Sequence, residues 1–326
     1  MNLADLFTVT SLTDAINKLP SVPSKAGATG LFLEKGVTTT SVIIEQYEGR
    51  LSLVPAISRS EDPTHAAKGK RSRRTFLIPH LPVSAQILPA EIQNIAAFGT
   101  DQPINGQASV INDKLQGMKA SLEATREWQR MGAIAGQILD HDGSVIYDLF
   151  SEFGIGKKTD TLKLSDVKTD VRAGLLKQKR YIELQTPHLI ITGFKAFCGA
   201  DFFDALTGHE SVKAAYANWQ AAQDRLGGDL RNGFVHGGME FVEYNVKVSG
   251  KDFVPANVAR IFPIAQNMFR VYNAPANYNE TVNTMGLPFY AKAEERKLGK
   301  GWDLEAQANP LAMCLCPEGL IELSAT

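Results

Sequence analysis

The sequence predicts an α+β fold organised around one unusually long helix. Three observations carry this reading: a proline-free stretch from Ala108 to Leu139 with apolar residues at helical spacing, β-branched strand runs before it, and mixed helix and strand signals beyond residue 187. Within the long stretch Ile111, Leu115, Met118 and Leu122 keep 4-3-4 spacing, the phase slips, and Trp128, Met131, Ala135 and Ile138 resume 3-4-3. Such a helix would run about 45 Å at 1.5 Å per residue, against a mean of about 11–12 residues in globular proteins. Its length marks it as a strut.

The 326 residues suffice for two cores. Apolar residues at 44% and charged residues at 21% match globular averages, so no large part reads as a disordered or fibrous polymer. A net charge of -1, from 34 basic and 35 acidic residues, argues against a dedicated nucleic-acid binder and suits a protein that packs against many copies with little self-repulsion. Three cysteines, Cys198, Cys314 and Cys316, cannot form an all-paired framework and fit a reducing compartment. The first seven residues lack a basic n-region and a continuous apolar run, and no stretch of about 18 apolar residues occurs, so a soluble protein made inside the cell, with no membrane partner, is expected.

Along the chain, residues 1–36 read as an N-terminal arm, broken by Pro20, Pro23, Gly27 and Gly30, with one helical candidate from Asp14 to Leu19 and too little apolar surface to close its own core. Residues 37–85 read as an extended β-hairpin loop. Val42 to Pro55 is strand-forming around a Glu48-Gly49 turn, Thr75 to Ile78 is its partner, and the polar tract between them is a mobile tip. That tip holds Lys68, Lys70, Arg71, Arg73 and Arg74. A solvated loop is the plainer reading than nucleic-acid binding, since no aromatic residues interleave to stack bases. A third reading, docking on acidic patches of a neighbouring subunit, makes these five the candidate inter-subunit contact residues.

Residues 86–186 form the unit of the long helix. They begin in an extended stretch between Pro79 and Pro89, continue through a short helix from Ala90 to Phe98, and follow the long helix with a hairpin on Asp142-Gly143, which joins Ile138-Leu139 to Val145 through Phe150. A further helix is expected from Asp166 to Lys179. Residues 187–295 read as a second mixed domain. It has a buried strand at His188 to Thr192, a helix carrying Val212, Tyr216 and Trp219, and a half-buried antiparallel strand in which Val242, Tyr244, Val246 and Val248 alternate with polar residues. Residues 296–326 read as C-terminal strands around Pro317-Glu318-Gly319 that return to the first unit.

Each candidate catalytic motif fails a geometric requirement. Gly154-Ile155-Gly156-Lys157-Lys158-Thr159 lacks the phosphate-loop glycine, Ser151 standing in its place, and no dinucleotide fingerprint is present. Cys314-Leu315-Cys316 puts two thiols on one strand face but has no second pair to complete a zinc site, so buried structural cysteines are the better reading. His236-Gly237-Gly238 suits a hairpin turn and has no nucleophile elbow to accompany it. The acid pairs Asp201/Asp204 and Glu240/Glu243 have ordinary surface spacing. The histidines at 65, 80, 141, 188, 209 and 236 form no ligand pattern. No catalytic, cofactor-binding or metal residue is assigned, and a hydrolase using His236 is the enzyme alternative.

The segment Arg73-Arg74-Thr75-Phe76-Leu77-Ile78-Pro79-His80-Leu81-Pro82, closing a hairpin that began at Gly49-Arg50-Leu51-Ser52-Leu53-Val54-Pro55, resembles the lambda-type (family E) major capsid proteins of tailed bacteriophages. So does the order that follows: Ala90-Glu91-Ile92-Gln93-Asn94-Ile95, Phe98-Gly99, the long helix, the Asp-Gly hairpin, then Cys198-Gly199-Ala200-Asp201-Phe202-Phe203-Asp204-Ala205-Leu206 and Glu240-Phe241-Val242-Glu243-Tyr244. The resemblance implies an HK97-like capsid fold. In it residues 1–36 are an arm reaching across neighbours, 37–85 the extended loop over an adjacent subunit, 86–186 a peripheral domain with its spine helix at about 108–139, 187–295 an axial domain, and 296–326 strands returning to the peripheral domain. It implies a major head protein assembling into pentamers and hexamers of an icosahedral shell that encloses double-stranded DNA, and no cofactor. The partners implied are the protein itself, a separate scaffolding protein, a portal and an optional decoration protein. The location implied is the virion, after assembly in the host cytoplasm. An encapsulin-like compartment subunit is the alternative on the same fold.

Overall fold

In the computed structural model, residues 8–20, 24–47, 71–92, 103–215, 231, 233–248 and 250–326 are described. Helix α1 (Val9–Lys18) is capped by Thr8, whose hydroxyl accepts from the Ser11 N–H at 3.2 Å, and buries Leu12, Thr13 and Ile16. The short helix α2 (Lys25–Ala28) leads into β1 (Phe32–Gly36), and β2 (Ser41–Tyr47) pairs antiparallel with β3 (Arg71–Leu77). After β4 (Leu81–Ile87) and the single turn α3 (Pro89–Ile92) comes the spine, α4 (Pro103–Ile134), 32 residues long. Then follow β5 (Gln137–Leu139), β6 (Val145–Asp148), α5 (Leu149–Phe153), β7 (Lys158–Thr161), α6 (Val171–Gln185), β8 (Ile191–Cys198) and α7 (Ala200–Gly208). A helical segment, α8, covers 210–215. The rest is mainly strand: β9 (Phe234–His236), β10 (Met239–Glu243), β11 (Lys247–Val248), β12 (Lys251–Asp252), β13 (Val258–Ala265), β14 (Phe269–Asn273), β15 (Tyr290–Glu295), β16 (Trp302–Ala308), β17 (Pro310–Cys314) and β18 (Ile321–Ser324).

The six-stranded sheet β7-β18-β13-β8-β10-β9 is a wall between two cores. Strand side chains alternate between faces, and here both faces are apolar. Ala196, Cys198, Ala259, Ile261, Ile321 and Leu323 pack under α6 and α7 with Val171, Leu175, Phe202 and Leu206. Phe197, Val242 and Phe262 face the other core, with Met131, Ile134, Phe150 and Met313. The boundary read at residue 187 therefore cuts through elements that share one sheet, since β7 and α6 belong with it, and β18 joins it from the C-terminus. A third core lies under the first half of the spine, where Ile111, Leu115, Met118 and Leu122 meet α1 and the sheet β15-β16-β4.

Several expectations need correction. The spine stops at Ile134 instead of Leu139, because Gly136 adopts φ +76 and a Cβ there would lie 2.3 Å from the Phe150 ring. The next residues pair with β6 across the Asp142-Gly143 turn, Gly143 having φ +87. Ile138 satisfies helical spacing and the strand equally, so spacing alone misassigns it. The later helix begins at Val171, not Asp166: Asp166 spends its carboxylate on the Lys168 N–H in a turn, and Asp170 is the cap, accepting from Ala173 N at 2.9 Å. It runs to Gln185, just before Thr186-Pro187.

The strand expected at His188–Thr192 starts at Ile191, and Ile190 is 83% exposed. The alternating run Val242 to Val248 is not one antiparallel strand. β10 ends at Glu243 and pairs parallel with β8, and neighbours Phe241 and Val242 are both buried because the wall is covered on both sides. Residues 8–20 do not stand off as an arm: α1 packs on β15, where Thr13 Oγ1 accepts from Ala291 N at 3.2 Å and Asn17 Nδ2 donates to Phe289 O at 2.9 Å. The Glu48-Gly49 turn, most of Ala90–Phe98, Tyr216 and Trp219 lie outside the described residues.

The root of the β2–β3 pair rests on Phe76, buried among Tyr147 and Phe153. Phe76→Ala is expected to lower unfolding stability by about 3–5 kcal/mol through transfer and cavity costs, measured by chemical denaturation of the unassembled subunit.

Candidate assembly surfaces

The β2–β3 pair has two unlike faces. Its register sets Val42 opposite Phe76, Ile43 opposite Thr75 and Glu45 opposite Arg73. Alternation then puts Val42, Ile44, Arg74 and Phe76 on one face and Ile43, Glu45, Arg73, Thr75 and Leu77 on the other. The first face is anchored to the chain's own body. Phe76 stands edge-on to Tyr147 with ring centres 5.2 Å apart, the Leu77 N–H donates to the Tyr147 hydroxyl at 3.1 Å, and the Arg74 guanidinium sits 5.8 Å from the Phe153 ring and 3.8 Å from Glu152. The second face is open, with Ile43 62% and Leu77 64% exposed.

Of the five basic residues read as inter-subunit contacts, Lys68 and Lys70 lie outside the described residues, and Arg71 is placed by its backbone pairing with Tyr47. Arg73 meets Glu45 at 2.7 Å on the open face, a solvent-exposed pair of small net worth. Arg74 turns inward to Glu152. The basic run is thus split between a face anchored to the body and a face left free.

Beneath the hairpin, two carboxylates knot the N-terminal segment to the spine. Glu127 accepts from the Ala26 and Gly27 N–H groups at 2.6 and 3.1 Å and from the Tyr244 hydroxyl at 2.6 Å, with Arg130 at 3.5 Å. Glu34 on β1 accepts from Arg126 at 2.7 Å, Arg130 at 3.0 Å and Asn273 Nδ2 at 3.2 Å. Burial alone would raise the Glu34 carboxyl, but the two guanidinium groups and the Asn273 amide hold it below the ordinary carboxylate range. Tyr244 is pushed far up by burial and by the Glu127 charge, so its hydroxyl stays a donor. Burial works against the Arg126 charge, which is offset by Glu34 and by the Phe289 ring 4.8 Å away. Sequence spacing could not reveal this knot, because its members are some hundred residues apart; the one trace was the slip in apolar phase between Leu122 and Trp128, where Arg126 and Glu127 are buried.

Asp160 on β7 joins the sheet to α6. The Gln178 amide donates to it at 2.8 Å, Lys177 lies at 3.2 Å, and these with the Thr161 N–H lower its carboxyl to about 2.

The motifs weighed for chemistry take structural places. His236 lies where β9 turns into β10 through Gly237 and Gly238, both at positive φ, and stacks on Phe234; burial and nearby Arg172 push its imidazole down. Gly154 is the left-handed cap that ends α5. Asp201 and Asp204 are exposed on α7, and Glu240 pairs with Lys195 at 3.1 Å. Cys198 and Cys314 are buried, with thiols pushed well up by burial, and half-buried Cys316 is pushed up to about 12 by burial and Glu318.

The long spine helix, the β-hairpin anchored on one face and the sheet between two cores are shared with solved capsid proteins of the HK97-like fold. The structure resembles the capsid of Myoviridae phage XM1, with a TM-score of 0.51, 8% identity and coverage of 100% of this chain and 99% of that one. Residues 8–325 match the model of the phage major capsid protein E family, and the chain belongs to that family. It is 27% identical to the major capsid protein of Salmonella phage Felix O1 (isolate Felix O1-VT1), over 98% of this chain and 96% of the relative. It is 26% identical to that of Pseudomonas phage KPP10, over 98% and 97%. The protein is a major capsid protein of a tailed phage and part of the virion shell, a structural protein and not a hydrolase; the family does not favour the encapsulin-like alternative.

Two outcomes follow from the carboxylates. Glu127→Ala, which strips the half-buried Arg130, the Tyr244 phenol and two backbone N–H groups of an acceptor, is expected to cost about 3–5 kcal/mol, read by denaturant unfolding. Asp160 has a folded pKa of about 2 against an ordinary 3.8, so its stabilisation is present above about pH 4 and is lost as pH falls from there to about 2. Asp160→Asn is expected to be less stable than wild type at pH 7, with the gap closing across that window in thermal melts at stepped pH.

Proposed function

We propose that the subunit assembles into pentamers and hexamers of an icosahedral shell that encloses double-stranded DNA without reading its sequence. The open face of the β2–β3 pair carries this reading. Ile43 and Leu77 stand in solvent beside Arg73 while the opposite face is fastened to the body, so an adjacent subunit laid on the open face would bury what one chain leaves exposed. On this view residues 37–85 are the extended loop over a neighbour, and 86–186 and 187–295, which share the six-stranded sheet, supply the peripheral domain and the axial domain around the symmetry axes. Residues 296–326 return to the periphery, and residues 1–36 supply an arm of which α1 is the anchored part. Lys68, Lys70, Arg71 and Arg73 set the register of that overlap against acidic groups of the neighbour, while Arg74 holds the hairpin root through Glu152. The near-zero net charge supports dense packing of copies and an enclosure of DNA that is not specific. Assembly takes place in the host cytoplasm with a separate scaffolding protein and a portal, and a decoration protein is an optional addition.

The internal pairing of Arg74 with Glu152 decides how to test the contact. Reversing Arg71, Arg73 and Arg74 together also disturbs the hairpin root, whereas Lys68→Glu, Lys70→Glu and Arg71→Glu together retain both residues of the Arg73–Glu45 and Arg74–Glu152 pairs. The second triple variant is expected to keep the wild-type circular dichroism and to lose shells, tubes and capsomers in negative-stain images and light scattering. Normal shells from it would remove the docking role, and a wild-type protein that stays monomeric across salt and scaffold conditions would remove the assembly reading.

A further inference from the structure

Two connections pass each other where the cores meet. One, between α6 and β8, carries His188; the other, between β17 and β18, takes the chain from the sheet β1-β14-β17 to the six-stranded wall and carries Cys316 and Glu318. β17 ends at Cys314, whose thiol is buried in the core, so Cys316 is free to leave that strand and meet His188 from a segment 128 residues away. The Cys316 sulfur is 3.6 Å from His188 Nε2, and ligand atoms of His188, Cys316 and Glu318 all lie within 4.8 Å of one another.

We propose that His188, Cys316 and Glu318 form a binding site for a zinc-class divalent cation that clips the α6–β8 connection to the β17–β18 connection. The donor set is one imidazole nitrogen, one thiolate sulfur and one carboxylate oxygen, a combination that favours zinc over magnesium or calcium, which take oxygen ligands. Zn–S bonds of about 2.3 Å and Zn–N bonds of about 2.0–2.1 Å at a tetrahedral angle set sulfur and nitrogen about 3.6 Å apart. The separation between Cys316 and His188 already has that value. His188 is exposed while the other two are half-buried, which leaves a fourth position for water or for a group of an adjoining subunit. Among the described residues Glu318 forms no ion pair with a lysine or arginine, so a cation does not have to displace one.

The other cluster of this kind, Asp140-His141-Asp142, differs in character. It is a run of adjacent turn residues whose carboxylates already accept from His141 N and Ser144 N, and it is set aside. A cation at the first cluster would cross-link two connections far apart in sequence, at the seam between the two cores that flank the wall. That placement would stiffen the seam.

The test uses the full-length protein, loaded with Zn2+ and gel-filtered, with metal measured by mass spectrometry, and in parallel loaded with Co2+ and read by absorption. Roughly one Zn2+ per subunit is expected for wild type, with a thiolate-to-cobalt charge-transfer band and a raised melting temperature in Zn2+. His188→Ala, at an exposed position, is expected to lose most bound Zn2+ while the circular dichroism is unchanged. Cys316→Ser is expected to abolish the charge-transfer band, and Glu318→Gln to weaken retention while the circular dichroism is unchanged. Absence of retained metal and of the cobalt band in wild type would overturn the site, as would His188→Ala and Glu318→Gln variants that each retain as much Zn2+ as wild type. The result does not depend on shell formation, since it is read on the unassembled subunit.

Discussion

The burial of charge at the middle of the spine helix is the constraint on which the rest of the subunit hangs. Arg126 and Glu127 are 4% exposed, in a helix whose other buried residues are mostly apolar. Each unpaired would carry a severe desolvation cost, so each demands its partners. Those partners come from α2, β1, the segment after β10, and the segment just before β15. Satisfying two buried charges therefore draws the N-terminal segment, the spine and two separate sheets to one point. It does so just where the spine passes from the core under α1 to the core against the wall.

A second constraint follows from the wall itself. Because β8, β10 and β13 send apolar side chains into both cores, neither flanking core exists without the sheet they share, and motions of one side must be transmitted through it. The carboxylate of Asp160 and the connections near Cys316 stand at its margins, where polar contacts and crossing loops replace apolar packing. The β2–β3 pair obeys the opposite logic. It has one apolar face settled on Tyr147 and Phe153 and one face on which Ile43 and Leu77 stay exposed. A subunit whose well-buried seams are internal and whose open face lies on a projecting hairpin is arranged to be completed by copies of itself.

Much of this was legible in the sequence where local chemistry decides. The long helix, the Asp142-Gly143 turn, the His236-Gly237-Gly238 turn and the strand break at Pro317 each rest on residues within a few positions of one another. Periodicity failed where two structures share a spacing. Ile138 fits a helix or a strand, and the run from Val242 to Val248 alternates like an antiparallel edge although its first part is a central parallel strand. The N-terminal segment looked too poor in apolar residues to pack, yet Leu12 and Ile16 suffice once β15 offers them a floor. The basic run from Lys68 to Arg74 looked uniform in sequence and is divided by strand alternation, with Arg73 outward and Arg74 inward.

By itself, then, the sequence determined the helices, turns and strands whose local spacing fits one structure only, that no catalytic motif meets its geometry, and which family the order of motifs resembles. Those properties depend on neighbours along the chain. Only the tertiary structure decided which carboxylates hold the spine, that one sheet serves two cores, and that His188 meets Cys316 and Glu318. Such contacts join residues a hundred or more positions apart, and their energies come from desolvation and close approach in three dimensions, quantities that leave no period in the sequence.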